Sequence, residues 1–363
     1  MFSCEFYLLL HEMKKFILFF TIVVGLISCN QSQPQGKKFV IERLNKYTPI
    51  KNQGRSSLCW AYAMLATIET DRLLEGDSIN LSADYVARSL LKEKAYSMYF
   101  TQGKKAISLR ATAPQLIDAI SKYGLVPYDS YKSDCSFNAV CRRMNNLVAN
   151  KIAHKTGMKS LVESVEDMVD NAVGPAPHNV YLYGAQYTPL EFSHSVCQRD
   201  DYIAVTSFTH IPFYEDVVLD VPDNDAGFKF YNVPIDTLMT RIEDAVMAGY
   251  GVCWEGDVSN KGFSFKSGIA SLNKRNNHIT QTERQRAFET FKTTDDHCME
   301  IVGIAHDSEG TKYFICKNSW GTSNPYGGLL YMSFEYARLN TIAVVMKNKF
   351  NNDRSLAIIR HQL

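Results

Sequence analysis

The chain has almost no charge imbalance: 39 lysines and arginines against 38 aspartates and glutamates leave a formal net charge of +1 over 363 residues. Gripping a nucleic-acid backbone takes a basic excess, so a nucleic-acid partner is excluded. No glycine-rich phosphate loop and no repeat period occurs, which removes the nucleotide-binding and solenoid classes. None of the nine cysteines stands in a C-x-x-C pair, the usual seed of a zinc site. Only one long hydrophobic run is present, from Phe16 to Leu26, shorter than the ~20 residues a spanning helix needs. What remains is a chain with 12% aromatic and 21% charged residues, the composition of an ordinary globular protein.

The apolar run follows Lys14 and Lys15 and closes at Ser28 and Cys29, and Met13 reads as the initiator. Residues 1–29 therefore resemble a bacterial lipoprotein signal. That resemblance implies cleavage before Cys29, which becomes a lipidated N-terminus holding the protein at the periplasm or outer membrane of a Gram-negative bacterium. Residues 30–46 form a linker, its first part a tether rich in Gln, Ser and Pro.

Just beyond the linker, Gln53, Gly54 and Cys59 stand at the mouth of an apolar helix, in which Ala61, Met64, Leu65, Ile68, Leu73 and Leu74 recur at helical spacing before Gly76 stops it. A helix N-terminus offers free N–H groups and the positive end of the macrodipole, so it favours the thiolate of Cys59. Gln53, across the glycine turn, can return its amide beside the sulfur and donate to an oxyanion. A nucleophilic cysteine also needs a base and an orienting partner. Residues 298–305 and 313–316 read as the two strands of a hairpin turning at 306–310, which sets His297 and Asn318 opposite or nearly opposite each other. A zinc centre from His297, Cys298 and Cys316 would consume the base that Cys59 requires, so no metal or cofactor is expected.

These three segments, Gln53 to Trp60, Asp296 to Cys298 and Lys317 to Gly321, resemble in content and order the active-site signatures of papain-like cysteine peptidases. Residues 81–85 and 123–128 are similar to further family segments, and 187–192, 232–236 and 248–258 resemble the bleomycin hydrolase branch. The resemblance implies an α+β, two-domain fold over 47–350, with a helical half at about 47–172, a β-rich half at about 233–350 and the active site between them. Helical patterns are expected near 82–94, 114–123 and 143–172, and 173–232 reads as an irregular insertion. The implied chemistry is peptide hydrolysis, with Cys59 as nucleophile, His297 as base, Asn318 orienting it, Gln53 and the Cys59 N–H as oxyanion hole, and Trp320 shielding the Asn–His bond. In the bleomycin hydrolase branch the C-terminus lies along the cleft and its carboxylate captures the substrate α-ammonium, which makes an aminopeptidase, and the tail 351–363 is long enough to reach back. Alternatives are an endopeptidase or a retired peptidase fold that binds at the cell envelope. Only 23 residues separate Cys29 from Gln53, too few for a folded inhibitory prosegment, so no zymogen step is expected. A homo-oligomer is open. Cys135 and Cys141 are placed to bridge locally, and the remaining cysteines read as buried thiols.

Overall fold

The computed structural model describes residues 36–182, 184–272 and 278–351. Met13, Cys29 and the tail beyond Asn351 lie outside the described residues. Among the described residues no helix is long and apolar enough to cross a membrane.

After a first strand, β1 (Phe39–Leu44), the chain is helical for more than a hundred residues: α1 (Cys59–Leu74), α2 (Ala83–Phe100), α3 (Pro114–Tyr123), α4 (Phe137–Ala153) and α5 (Gly157–Val173). Each start has a local cause. Ser82 caps α2 by accepting from the Tyr85 N–H, and α3 opens with proline at its first position, where the missing N–H would be unpaired anyway. The helical pattern read over 143–172 belongs to two helices. Lys155 and Gly157 take positive φ angles of 50° and 76°, which ends one helix and turns the chain into the next. Val140, Met144 and Val148 on α4 and Leu161, Val165 and Val169 on α5 recur at four-residue spacing and are fully buried.

The β-rich half is organised on one sheet of eleven strands. Its members are β1, β4 (Tyr202–Thr206), β5 (Asp216–Val218), β6 (Lys229–Asn232), β7 (Val252–Gly256), β8 (Phe263–Ser264), β9 (Ile269–Ala270), β10 (His297–Asp307), β11 (Lys312–Lys317), β12 (Leu329–Ser333) and β13 (Thr341–Lys347). The order is β5-β6-β4-β13-β7-β10-β11-β12-β9-β8, and β1 pairs the later part of β10 where β7 has left it. The segment 173–232 is not the irregular insertion expected. It holds a small hairpin of β2 (Val180–Leu182) and β3 (Ala185–Tyr187), a capped helix (Pro189–Val196) and three strands, β4 to β6, that extend the sheet. Those strands are three to five residues long; β4 joins the sheet by pairing with β13, some 140 residues away, and β6 and β5 add outside it in turn, so local pattern could not announce them.

α1 lies buried against β10 and β7, and Trp60, Met64, Leu65 and Ile68 are all at most 1% exposed. Burying a side chain of that size contributes about 1.5–3 kcal/mol, so the helix that begins at Cys59 is among the best-anchored elements. Its polar residues are anchored too. Glu69 accepts from Lys51 Nζ and from the Leu81 N–H, each at 2.6 Å, and Asp71 accepts from Tyr202 Oη at 2.9 Å and the Gly251 N–H at 3.0 Å.

Candidate active site

Cys59 is the first residue of α1, and Leu58 before it supplies no side-chain cap. The N–H groups of that first turn therefore have no intrahelical acceptor and face the sulfur's surroundings. The loop before the helix is pinned by backbone pairing to the segment after β11. Gln53 N–H donates to Ser319 O at 2.8 Å, Gly321 N–H to Lys51 O at 3.1 Å, and Asn52 bridges Trp320. Side chains complete the clasp: Ser319 Oγ donates to Gln53 Oε1 at 2.6 Å, and Gln53 Nε2 donates to Ser56 O at 2.8 Å. One hydrogen of the Gln53 amide nitrogen is left over for a further acceptor.

His297 opens β10, and Asn318 follows the last residue of β11. Ile301 pairs with Cys316 and Glu300 with Lys317, after a register shift next to Val302. The hairpin is therefore centred slightly later than equal spacing suggests, and Asn318 lies past the strand end rather than directly across from His297. The side chains close the gap: His297 Nε2 donates to Asn318 Oδ1 at 2.9 Å, and the same oxygen accepts from the Ser319 N–H at 2.7 Å. Both residues are buried, and Trp320 covers the pair with its ring 4.4 Å from the imidazole, itself backed by Phe263 and Phe265.

The Cys59 thiol is held well below its ordinary value. A hydrogen bond from the Cys298 thiol is the largest cause, burial opposes it, and the hydrogen bond and charge of His297 add to the lowering. With Nε2 engaged by Asn318, Nδ1 is the ring nitrogen left for the sulfur. The geometry thus brings together Cys59, His297, Asn318, Gln53 and Trp320. Cys298 and Ser319 were not anticipated as members. Cys298 read as one of several buried thiols, and its adjacency to His297 was the available signal.

Cys135 and Cys141 are both free thiols, not a disulfide. Cys141 is buried within α4 and burial pushes it up to about 11, while Cys135 lies in the preceding loop.

Residues 176–363, more than half of the chain, match the Peptidase C1-like family. The bleomycin hydrolase of Rattus norvegicus is 20% identical over 93% of this chain and 88% of its own length, and that of Homo sapiens is 21% identical over 86% and 83%. Among solved structures, pepw from Lactobacillus rhamnosis HN001 matches with a TM-score of 0.67 over 94% of this chain and 92% of that one, at 16% identity, a likeness of fold.

Proposed function

The chain belongs to the Peptidase C1-like family and is a papain-like cysteine peptidase, and on that footing we propose that Cys59, His297, Asn318 and Gln53 carry the reaction and that the enzyme trims residues from peptide N-termini. The observation that carries the assignment is the 2.9 Å bond between His297 and Asn318, formed beside a cysteine whose thiolate is favoured. In this reading the Cys59 thiolate attacks the scissile carbonyl carbon. The oxygen takes up negative charge and is met by the Cys59 N–H and the spare Gln53 amide hydrogen, each such donor typically worth ~3 kcal/mol of barrier. Protonated His297 gives its Nδ1 proton to the leaving amine, the C–N bond breaks, and a thioester remains. His297 then takes a proton from water, the hydroxide attacks the thioester, and the acid product leaves as the thiolate re-forms. Asn318 keeps the imidazole turned, and Trp320 keeps water from its hydrogen bond. Cys59→Ala should abolish hydrolysis of fluorogenic peptides; an alanine variant with full turnover would remove the assignment.

Action at N-termini draws support from the resemblance of 187–192 and 232–236 to the bleomycin hydrolase branch and from relatives of that name spanning most of the chain. Removing residues 351–363 should lower cleavage of an aminoacyl substrate and raise that of an N-blocked peptide, and an unchanged preference would favour an endopeptidase. For location we propose lipid attachment at Cys29 in a Gram-negative envelope. A clickable palmitate should label wild type and spare Cys29→Ala; equal labelling would dismiss the anchor.

A further inference from the structure

We infer that Glu255 and Asp295 form a subsite beside Cys59 that receives a cationic nitrogen of the peptide substrate, either its α-ammonium or a lysine or arginine side chain. The inference rests on reading Cys59 as the nucleophile of a peptidase site. Glu255 lies on β7, in register with Cys298 on β10, and residues paired across a sheet present their side chains on one face. Cys298 is the residue whose thiol bonds Cys59, so the Glu255 carboxyl stands one strand from the sulfur's own partner. Asp295 precedes β10, two residues before His297.

What distinguishes this pair is that, among the described residues, no cation forms an ion pair with either carboxyl. Glu255 is 1% exposed; its Oε2 has only a long contact, 3.4 Å from the Ala113 N–H, and its Oε1 has no donor among the described residues. Asp295 Oδ2 is also buried without a donor. The two carboxyls lie against each other: burial and the Asp295 charge hold Glu255 well above its ordinary range, while burial and the Asp223 charge push Asp295 up to about 8, against the proton shared with Glu255, which lowers it. The neighbouring cation, Arg110, is committed elsewhere: its Nε pairs with Asp223 at 2.7 Å, and it reaches only the main-chain oxygen of Asp295, at 3.5 Å.

A buried carboxylate pair of this kind either shares a proton or takes up a cation from outside. Two carboxyls suit an organic cation better than a metal ion. Among the described residues no group of three or more His, Cys, Asp or Glu side chains is placed to hold one. An ammonium or guanidinium can donate to both free oxygens at once, which also fixes the distance from the cationic group to the bond that Cys59 attacks. The substrate class is therefore a peptide with a positive charge close to the scissile carbonyl.

The test uses the full chain carrying Cys59→Ala, so that peptides bind without turnover, and reads affinity by calorimetry. Three peptide amides separate the sources: an all-neutral sequence with a free N-terminus, an acetylated peptide with one lysine, and an acetylated neutral peptide. At least one of the first two should bind about tenfold more tightly than the third. Glu255→Gln and, independently, Asp295→Asn should each erase that advantage while leaving the neutral blocked peptide unchanged. Preference for the free N-terminus identifies the α-ammonium as the natural cation, and preference for lysine identifies a side chain. Equal affinity for all three peptides, or an advantage that survives both substitutions, overturns the inference. Turnover by the Cys59-containing protein is measured in parallel. Turnover without charge preference removes the subsite alone, whereas no turnover of any peptide removes the underlying peptidase assignment.

Discussion

Two sets of buried carboxylates flank α1, one near its middle and one near its first turn, and they are neutralised in opposite ways. Near the middle, Glu69 is enclosed by Lys51 at 2.6 Å, the Leu81 N–H and Thr48, and Lys317 Nζ stands 3.9 Å from Glu69 and 3.6 Å from Glu300 while donating to Thr48 at 2.8 Å. Near the first turn, Glu255 and Asp295 lie against each other, and among the described residues no cation pairs with either carboxyl, Arg110 being paired with Asp223. The first set ties β1's following loop, α1, β10 and β11 together, which is a structural duty. The second stands beside Cys59, where the proposed subsite is assigned. Burial alone therefore does not tell the two sets apart, and neither does a count of donors, since both Glu300 oxygens also lack one among the described residues; the paired cation does.

The comparison is broken most severely by removing its structural side. Glu69→Ala strands Lys51, leaves Lys317 with Glu300 as its one carboxylate and opens a cavity, so a loss of about 3–5 kcal/mol is expected, readable as a fall in denaturant midpoint. Glu255→Gln should cost far less, since it replaces a buried carboxyl that burial already holds well above its ordinary range by a neutral group of the same size and leaves no buried cation unpaired. A Glu69→Ala protein as stable as wild type would void the distinction.

A smaller effect sharpens the view of the thiolate. Cys298→Ala removes the largest cause of the lowered Cys59 value, so the pH at which iodoacetamide alkylation reaches half its plateau should move toward alkaline. At a pH below the wild-type midpoint the rate should fall roughly several-fold, in keeping with loss of a hydrogen bond to a charged group. An unmoved midpoint would leave His297 as the main stabiliser.

The smallest effect concerns stability against pH. Asp295 is raised in the folded protein from its ordinary 3.8 to about 8, so the folded state holds the proton more tightly than the unfolded chain. Its contribution is complete below 3.8 and lost as pH rises through about 8. Asp295→Asn should flatten the decline of stability across that window. A decline as steep as wild type would mean that other groups, such as Asp71 and Glu300, both raised to about 7, account for it.

The proposed reactive centre was legible because its members announce themselves locally: a cysteine where an apolar helix begins, and a histidine and asparagine at the two ends of a hairpin. Trp320 and Gln53 came with their neighbours in sequence. The role of Ser319 was hidden because a serine hydroxyl has many uses, and only the pairing of residues 51–53 with 319–321 shows which one applies. Glu255 was hidden for a different reason. It sits in an apolar strand, and its relation to Asp295 and Cys298 exists only once β7 and β10 are side by side. The same holds for β4, β5 and β6, whose short runs acquire meaning from distant partners. Local periodicity thus reported α1, α2 and α3 well, while long-range pairing was needed for the sheet's far edge.

The central claim, that Cys59 is the nucleophile, is tested most directly by titrating the enzyme with a thiol-directed epoxide while following peptide hydrolysis and mapping the adduct by mass spectrometry. The account predicts that turnover falls in proportion to occupancy and reaches zero at one adduct per chain, located on Cys59, with Cys298 unmodified. Turnover that persists with Cys59 fully occupied would contradict it.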